Sequence, residues 1–262
     1  MQEPDLKIDF DWDAHWSEYD LTAQANPGQA MRHDLVAKIL REKSRQGMKL
    51  LDIGSGQGDM LVRLKKVLPD ASLAGFELSE SGVNISKKKI PSADFLVADL
   101  YTPGPEMDRF KRWATHAVCC EVLEHVKDPL EFLRSAYKYL APGALLIVTV
   151  PSGPMSAFDK YIGHLRHFSQ KSLCSVVEQS GFETIKFLRT GFPFFNLYRL
   201  TVMARGKKLI EDARAAESSS PSRLAMLVMG AYKKLFRWNL ENHPLGWQLV
   251  ICCRKPYTAH ES

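Results

Sequence analysis

The sequence predicts an α/β protein: a doubly wound, seven-stranded, mainly parallel sheet with helices on both faces and a helical insertion between the last two strands. Three observations carry that expectation. From Met48 onward short apolar runs alternate with helical patterns, the order that builds a parallel sheet covered on both sides. Each of the first three runs ends in or beside an acidic residue, Asp52, Glu77 and Asp99, and the carboxyl ends of strands are where open α/β sheets bind ligands. A final apolar run, Trp247 to Arg254, is divided from the run before it by Phe192 to Gly246, far longer than a hairpin loop of about 2 to 5 residues.

Taken in chain order, residues 1–47 read as an N-terminal helical cap. Its aromatic segment runs from Phe10 to Tyr19 with Trp12 and Trp16 four apart, a stripe that either folds over a bound cofactor or packs on the core, and a helix follows over 33–45. Residues 48–191 read as the core. The expected elements are strand 49–53, helix 58–68, strand 72–76, helix 79–88, strand 94–98, strand 115–120, helix 128–140, strand 143–150, helix 169–179 and strand 183–188. Residues 192–246 form the insertion, and 247–262 the last strand and tail. No internal repeat is visible.

The most informative stretch is Leu50-Leu51-Asp52-Ile53-Gly54-Ser55-Gly56-Gln57-Gly58-Asp59. An apolar strand runs into three alternate glycines, which permit φ > 0 and leave main chain bare for a ligand. The dinucleotide fingerprint spaces its glycines G-x-G-x-x-G to seat a pyrophosphate on a helix N-terminus; here the third glycine comes one residue early. Asp52 would repel a pyrophosphate and suits a ligand carrying an ammonium and a sulfonium. Glu77 lies about 20 residues on, where an acid binds the two ribose hydroxyls of a nucleoside. Asp99 and Leu100 close the third strand, where they accept from an adenine amine and cover the ring.

On these residues the chain resembles the class I S-adenosylmethionine-dependent methyltransferases, over roughly Met48 to Phe187 plus the strand near Trp247 to Arg254. The run Val118 to Val126 is similar to that family's fourth strand and following helix start, and Ala141 to Pro151 to its fifth strand. The resemblance implies the Rossmann-like methyltransferase fold and S-adenosyl-L-methionine as cofactor. It implies a glycine loop of Asp52, Gly54, Ser55, Gly56 and Gly58 around the methionine moiety, Glu77 with Leu78 at the ribose, Asp99 with Leu100 at the adenine, and Glu121 at the edge of the same site.

A chain of 262 residues with 45% apolar and 25% charged content is ordinary for a globular domain with a lid. It has no run near the ~20 apolar residues of a membrane span. The acidic N-terminus (Glu3, Asp5, Asp9, Asp11, Asp13) lacks the pattern of a signal peptide, so a cytoplasmic location, peripheral to a membrane at most, is expected. Five cysteines, Cys119-Cys120, Cys174 and Cys252-Cys253, show no zinc spacing and read as small core residues.

The insertion holds nine Lys or Arg (Arg199, Arg205, Lys207, Lys208, Arg214, Arg223, Lys233, Lys234, Arg237) against four acids (Glu211, Asp212, Glu217, Glu241). The chain has 35 basic and 30 acidic side chains, so 26 of each sign remain elsewhere and all the net charge sits here. Two helical parts, 194–215 and 223–238, flank the break Ser218-Ser219-Ser220-Pro221-Ser222. Beside a plain helical cap there are three functional uses, a lid over an apolar acceptor, a surface on anionic lipid, and a dimer face, of which a lid closing over an acceptor with apolar and anionic parts is favoured. Nucleic acid is disfavoured, because the basic residues are interleaved with Leu, Val and Met. The oligomeric state is not legible.

A sulfonium is already an activated electrophile, so placing the acceptor and excluding water supply much of the acceleration. A base matters for a hydroxyl acceptor, and Glu121, Glu124, His125, His164 and His167 are the candidates near the strand ends, with His164, His167 and Glu121 the expected catalytic groups. In Glu121-Val122-Leu123-Glu124-His125 two carboxylates and an imidazole at i, i+3 and i+4 share one side of a helical turn, a set that suits Mg²⁺ or Mn²⁺. The pattern resembles the ubiquinone-biosynthesis O-methyltransferases and the small-RNA 3′-terminal 2′-O-methyltransferases. That likeness implies a metal at Glu121, Glu124 and His125 with one of His164 or His167, although the string also occurs in methyltransferases without metal. The expected function is methyl transfer to an oxygen of a small-molecule or lipid-linked acceptor. The alternatives are RNA 2′-O-methylation and a non-catalytic cofactor-binding partner of another enzyme.

Overall fold

The computed structural model describes residues 10–18, 26–215 and 223–257. The acidic residues Glu3, Asp5 and Asp9, the break Ser218 to Ser222 and the tail 258–262 lie outside the described residues. The seven strands are β1 (Lys49–Ile53), β2 (Ser72–Glu77), β3 (Asp94–Val97), β4 (Ala114–Cys120), β5 (Leu140–Pro151), β6 (Glu183–Thr190) and β7 (Gln248–Arg254). They form one sheet in the order β3-β2-β1-β4-β5-β7-β6. Strands β1 to β5 pair in parallel, and β7 runs antiparallel to both β5 and β6, so the expected mainly parallel sheet is the one observed. The order reverses between β1 and β4, which opens the crevice used by ligands in doubly wound sheets.

The helices are α1 (Trp12–Glu18), α2 (Pro27–Glu42), α3 (Asp59–Val67), α4 (Glu80–Lys89), α5 (Pro129–Tyr137), α6 (Ala157–Tyr161), α7 (Gln170–Gln179), α8 (Phe194–Ala215) and α9 (Arg223–Leu235). Side chains alternate across a strand, and β1 shows the result. Leu51 and Ile53 enter a core built with Phe132, Leu133, Leu173 and Val177 of α5 and α7. Leu50 points the other way, into a core built with Val36, Leu40, Leu61, Leu64 and Val83 of α2, α3 and α4. Because both faces are covered, the central strands read as apolar runs apart from the buried polar Asp52, His116 and Thr149. Cys119, Cys252 and Cys253 are buried among them, Cys120 and Cys174 partly so, and all five thiols are free.

The expected boundaries shift where local capping decides. Helix α2 starts at Pro27, not near His33, because the Asn26 side chain accepts from Gly28 N at 2.9 Å and proline suits the first helical position. Helix α5 ends at Tyr137, and β5 begins already at Leu140. The 3₁₀ turn Pro105–Phe110 and the short helix α6 were not expected; α6 is set by a capping box in which Ser156 and Asp159 bond each other's backbone.

The insertion forms α8, kinked at Gly206 (φ 47°, ψ −123°), and α9, which continues into the 3₁₀ turn Phe236–Trp238. Aromatic contacts hold the pair together: Tyr198 lies 5.2 Å from Tyr232 and Phe195 lies 5.8 Å from Phe236, centroid to centroid. Among the described residues, no helix is long and apolar enough to cross a membrane.

Candidate active site

Strand β1 delivers the chain to the glycine loop with Gly54, Gly56 and Gly58 at φ 74°, 52° and 76°. Here glycine is required twice over. A Cβ at Gly54 would lie 2.5 Å from a methyl of Val122, and one at Gly56 would lie 2.8 Å from the Trp16 ring, at backbone angles that side chains rarely adopt. The loop is pinned to β2, whose Phe76 carbonyl accepts from Gly54 N at 2.8 Å and Ser55 N at 3.0 Å. Trp16 covers it from above, and the Trp16 carbonyl accepts from Gln57 Nε2 at 3.2 Å. Helix α1 is itself fastened by Asp13, which accepts from Ser79 Oγ at 2.6 Å and Ser81 N at 2.9 Å.

Two buried carboxyls sit at this loop. Asp52 is 2% exposed, and burial, with the nearby charge of Glu77, pushes its pKa up to about 8. Its Oδ2 has no hydrogen-bond partner among the described residues, nor has Ser55 Oγ. Glu77 accepts from Gly56 N at 2.7 Å and Ser79 N at 3.0 Å; burial raises its pKa while these bonds and the Trp16 indole oppose the rise. Leu78 beside it is exposed and Leu100 buried. Asp99 closes its own turn, accepting from Tyr101 N at 2.8 Å and Thr102 Oγ1 at 2.6 Å.

Glu121 follows β4 with φ 58°, and the chain from Glu121 to His125 is a bend and turn, not the expected start of a helix. The correction matters for the side chains. Glu121 turns toward the sheet, where Oε1 accepts from Thr149 Oγ1 at 2.9 Å and Gln248 Nε2 at 2.8 Å, and Arg32 Nε stands 3.5 Å from Oε2. Glu124 is fully buried, and among the described residues neither of its oxygens has a hydrogen-bond partner; burial, then the charge of Glu121, holds its pKa far above the carboxylate range.

Beside Glu124 the structure gathers His125 and His164, with His167 next to His164. The ligand atoms of Glu124, His125 and His164 lie within 4.8 Å of one another, as do those of Asp159, His164 and His167; Glu121 belongs to neither group. His164 Nδ1 is 3.3 Å from His167 Nε2, and His167 Nδ1 is 3.0 Å from the Gly153 carbonyl. Since a carbonyl only accepts, His167 donates from Nδ1; in the tautomer that leaves its Nε2 free to accept, His164 donates from Nδ1 and keeps a lone pair on Nε2. Burial, then His125, pushes the His164 pKa down to about 2. Asp159 Oδ2 stands 3.7 Å from His167 Nε2 and takes a bidentate pair from Arg199 at 2.7 Å on each arm. Burial alone would raise the Asp159 pKa, but Arg199 brings it down to about 2. Trp12 packs edge-on against His125 at 4.9 Å, so α1 reaches from the glycine loop to the imidazole cluster.

The described residues thus place Asp52, the glycine loop, Glu77, Asp99 and Glu121 along one edge of the sheet, at the ends of four adjacent strands. Sequence reasoning missed Arg32, Thr149, Asp159, Arg199 and Gln248. Thr149 and Gln248 were visible as lone polar residues inside apolar strand runs, and Ser156 with Asp159 as a capping pair; Arg32 and Arg199 carry no local signal.

Residues 24–186 match the family described as methyltransferase domain, more than half of the chain, and the protein belongs to that family. Ubiquinone biosynthesis O-methyltransferase of Caulobacter sp. (strain K31) is 32% identical over 120 residues, covering 43% of this chain and 44% of that protein. A ubiquinone/menaquinone biosynthesis C-methyltransferase of Vibrio parahaemolyticus is 23% identical over 178 residues, covering 55% and 68%. Phosphoethanolamine N-methyltransferase 2 of Haemonchus contortus, solved with S-adenosyl-L-methionine, superposes with a TM-score of 0.59 at 16% identity, over 93% of this chain and 57% of that one, a likeness of fold. The chain spans about half the length of the first curated relatives it matches. It carries a class I S-adenosylmethionine-dependent methyltransferase domain, as the sequence resemblance implied.

The residues present fit that cofactor: bare main chain at Gly54 and Gly56 allows close approach, and the orphaned Asp52 oxygen suits an ammonium. They do not fit Mg²⁺ as expected from Glu121, Glu124 and His125. Mg²⁺ demands near-octahedral oxygen coordination, whereas the assembled group offers one carboxylate and two imidazoles, a donor set for transition metals.

Proposed function

We propose that the protein transfers the methyl group of S-adenosylmethionine to a hydroxyl oxygen of a small-molecule or lipid-linked acceptor. The observation that carries this reading is the hydrogen-bonded pair His164 and His167 beside Asp159, which gives a hydroxyl proton somewhere to go. The cofactor supplies an activated methyl on a sulfonium. In the proposed roles Asp52 and the glycine loop bind its methionine end, Glu77 and Leu78 its ribose, and Asp99 and Leu100 its adenine. Glu121, held by Thr149, Gln248 and Arg32, sets the wall between cofactor and acceptor. His164 Nε2 accepts the acceptor's proton while its Nδ1 proton passes to His167 Nε2, where the Asp159 carboxylate stabilises the imidazolium. Trp12 and Trp16 exclude water, which strengthens each of these interactions. The O-methyltransferases among the relatives support an oxygen acceptor.

The test is turnover, read as S-adenosylhomocysteine release, with hydroxylated aromatic, amine and RNA acceptors. The proposal expects activity on a hydroxylated acceptor and a loss of about 10²-fold or more in kcat for His167→Ala, with cofactor affinity unchanged. Turnover confined to amines or RNA, or His167→Ala at wild-type rate, would overturn it. Cofactor binding with no turnover on any class would point to the non-catalytic alternative.

A further inference from the structure

Helix α9 packs on the protein along one narrow side. Tyr232 and Phe236 turn inward against Tyr198, while Met226, Leu227, Val228, Leu235 and Trp238 stay in solvent, Leu227 at 72% and Trp238 at 75% exposure. At 3.6 residues per turn, Leu227, Val228, Ala231 and Leu235 fall on a second apolar stripe about 100° wide beside the packed one. Trp238 extends it into the 3₁₀ turn, and Lys234 and Arg237 lie along its other border, while Lys233 falls on the opposite side of the helix, where it lines a cavity with Asp34 and Asp59. The start of α8 adds exposed Leu197 and Leu200, which with Leu245 line a groove of about 460 Å³. In the same helix Arg199 is tied to Asp159, so the insertion is anchored at the candidate active site.

An exposed apolar stripe of this kind marks an interaction surface, and its charge decides the partner. The insertion carries nine basic and four acidic residues; with Glu241 paired to Lys38 and Arg199 to Asp159, the excess of positive charge is unchanged. A second copy would bring the same excess of positive charge against itself. RNA would meet leucines where it needs a polar basic stripe. An apolar stripe with Trp at one end and Lys/Arg at its border is the pattern of a helix lying in the headgroup layer of an anionic bilayer.

We propose that helix α9 and the 3₁₀ turn after it dock this protein on an anionic membrane surface, with Leu227, Leu235 and Trp238 in the boundary between headgroups and acyl chains and Lys234 and Arg237 on the lipid phosphates. The surface stands whichever atom is methylated; with a lipid-linked acceptor it would bring the site to its substrate.

Flotation of the full chain with phosphatidylcholine vesicles, with and without phosphatidylglycerol, tests this. Binding is expected only with the anionic lipid and should fall as salt screens it, each Lys or Arg near the surface contributing about fivefold. The pair Leu227→Glu and Trp238→Glu should lower binding at least about tenfold, while calorimetric titration with S-adenosylhomocysteine matches wild type and shows the fold intact. Failure of the wild type to float with anionic vesicles, or equal flotation of the double variant, overturns the proposal. A concentration-dependent dimer that the same variant dissolves, without vesicle binding, assigns the face to a second copy instead.

Discussion

Asp52→Asn separates the two demands placed on the glycine loop, folding and cofactor binding. In the fold Asp52 has a pKa of about 8, set by burial and by Glu77, against about 3.9 in an unfolded chain. A raised carboxyl pKa is neutral to stability below the unfolded value, where both states are protonated, and destabilises increasingly as pH climbs toward the folded value. The cost is about 1.5 kcal/mol at pH 5 and about 4 kcal/mol at pH 7. The cofactor-free wild type should therefore lose about 2.5 kcal/mol between those pH values that the Asn variant keeps, measured by urea denaturation. Binding runs the other way. A cationic ligand pairs with the ionised form, so wild-type affinity rises with pH up to about 8, whereas Asn gives up a charge-assisted bond of about 1.5 to 3 kcal/mol, some tenfold to a hundredfold in Kd. A variant that loses the same stability between pH 5 and 7, or binds S-adenosylmethionine as tightly as wild type, refutes the reasoning.

Three further outcomes are expected. Gly56→Ala places a Cβ 2.8 Å from the Trp16 ring at φ 52°, so it should displace α1 and weaken cofactor binding, visible as a changed Trp fluorescence and a raised Kd. Arg199→Met leaves Asp159, whose side chain is 1% exposed, as a buried unpaired charge at a cost of about 3 to 5 kcal/mol; thermal denaturation reads it. Because Arg199 holds the Asp159 pKa near 2, that stabilisation is present above the unfolded pKa and lost as pH falls through 2, so the variant and wild type should converge in strong acid. Glu121→Gln keeps the bonds to Thr149 and Gln248 within reach but removes the charge facing Arg32; it should lower kcat with little change in melting temperature, and an unchanged kcat would remove Glu121 from the site.

Much of the fold was legible because the sheet is buried on both faces. Strands such as Leu50 to Ile53 and Leu145 to Val150 had to be apolar apart from Asp52 and Thr149, and the glycines marked the turn where main chain stays bare. The N-terminus of α2 was missed because a side-chain cap at Asn26 overrode the apolar period. The placement of the candidate site residues was legible where it follows from a strand end, as for Asp52, Glu77 and Glu121. It was not legible where tertiary contacts decide. Nothing local says that Glu121 turns to Gln248 across the sheet while Glu124, three residues on, faces His164. Spacing of i, i+3 and i+4 puts side chains together only on a helix, and the positive φ at Glu121 prevents one there. Asp159 was absent from the expected site because its sequence signature is that of a helix cap, a task it performs while also holding Arg199.

The most direct test of the account is calorimetric titration of the purified chain with S-adenosylmethionine and with S-adenosylhomocysteine, each with Mg²⁺ and with chelator. Saturable one-site binding of both ligands, unaffected by Mg²⁺, is the predicted result, since the proposed cofactor site is Asp52, the glycine loop and Glu77 and the Glu124 cluster does not suit that ion. A folded sample that binds neither ligand would contradict the assignment of the glycine loop and the methyltransferase reading built on it.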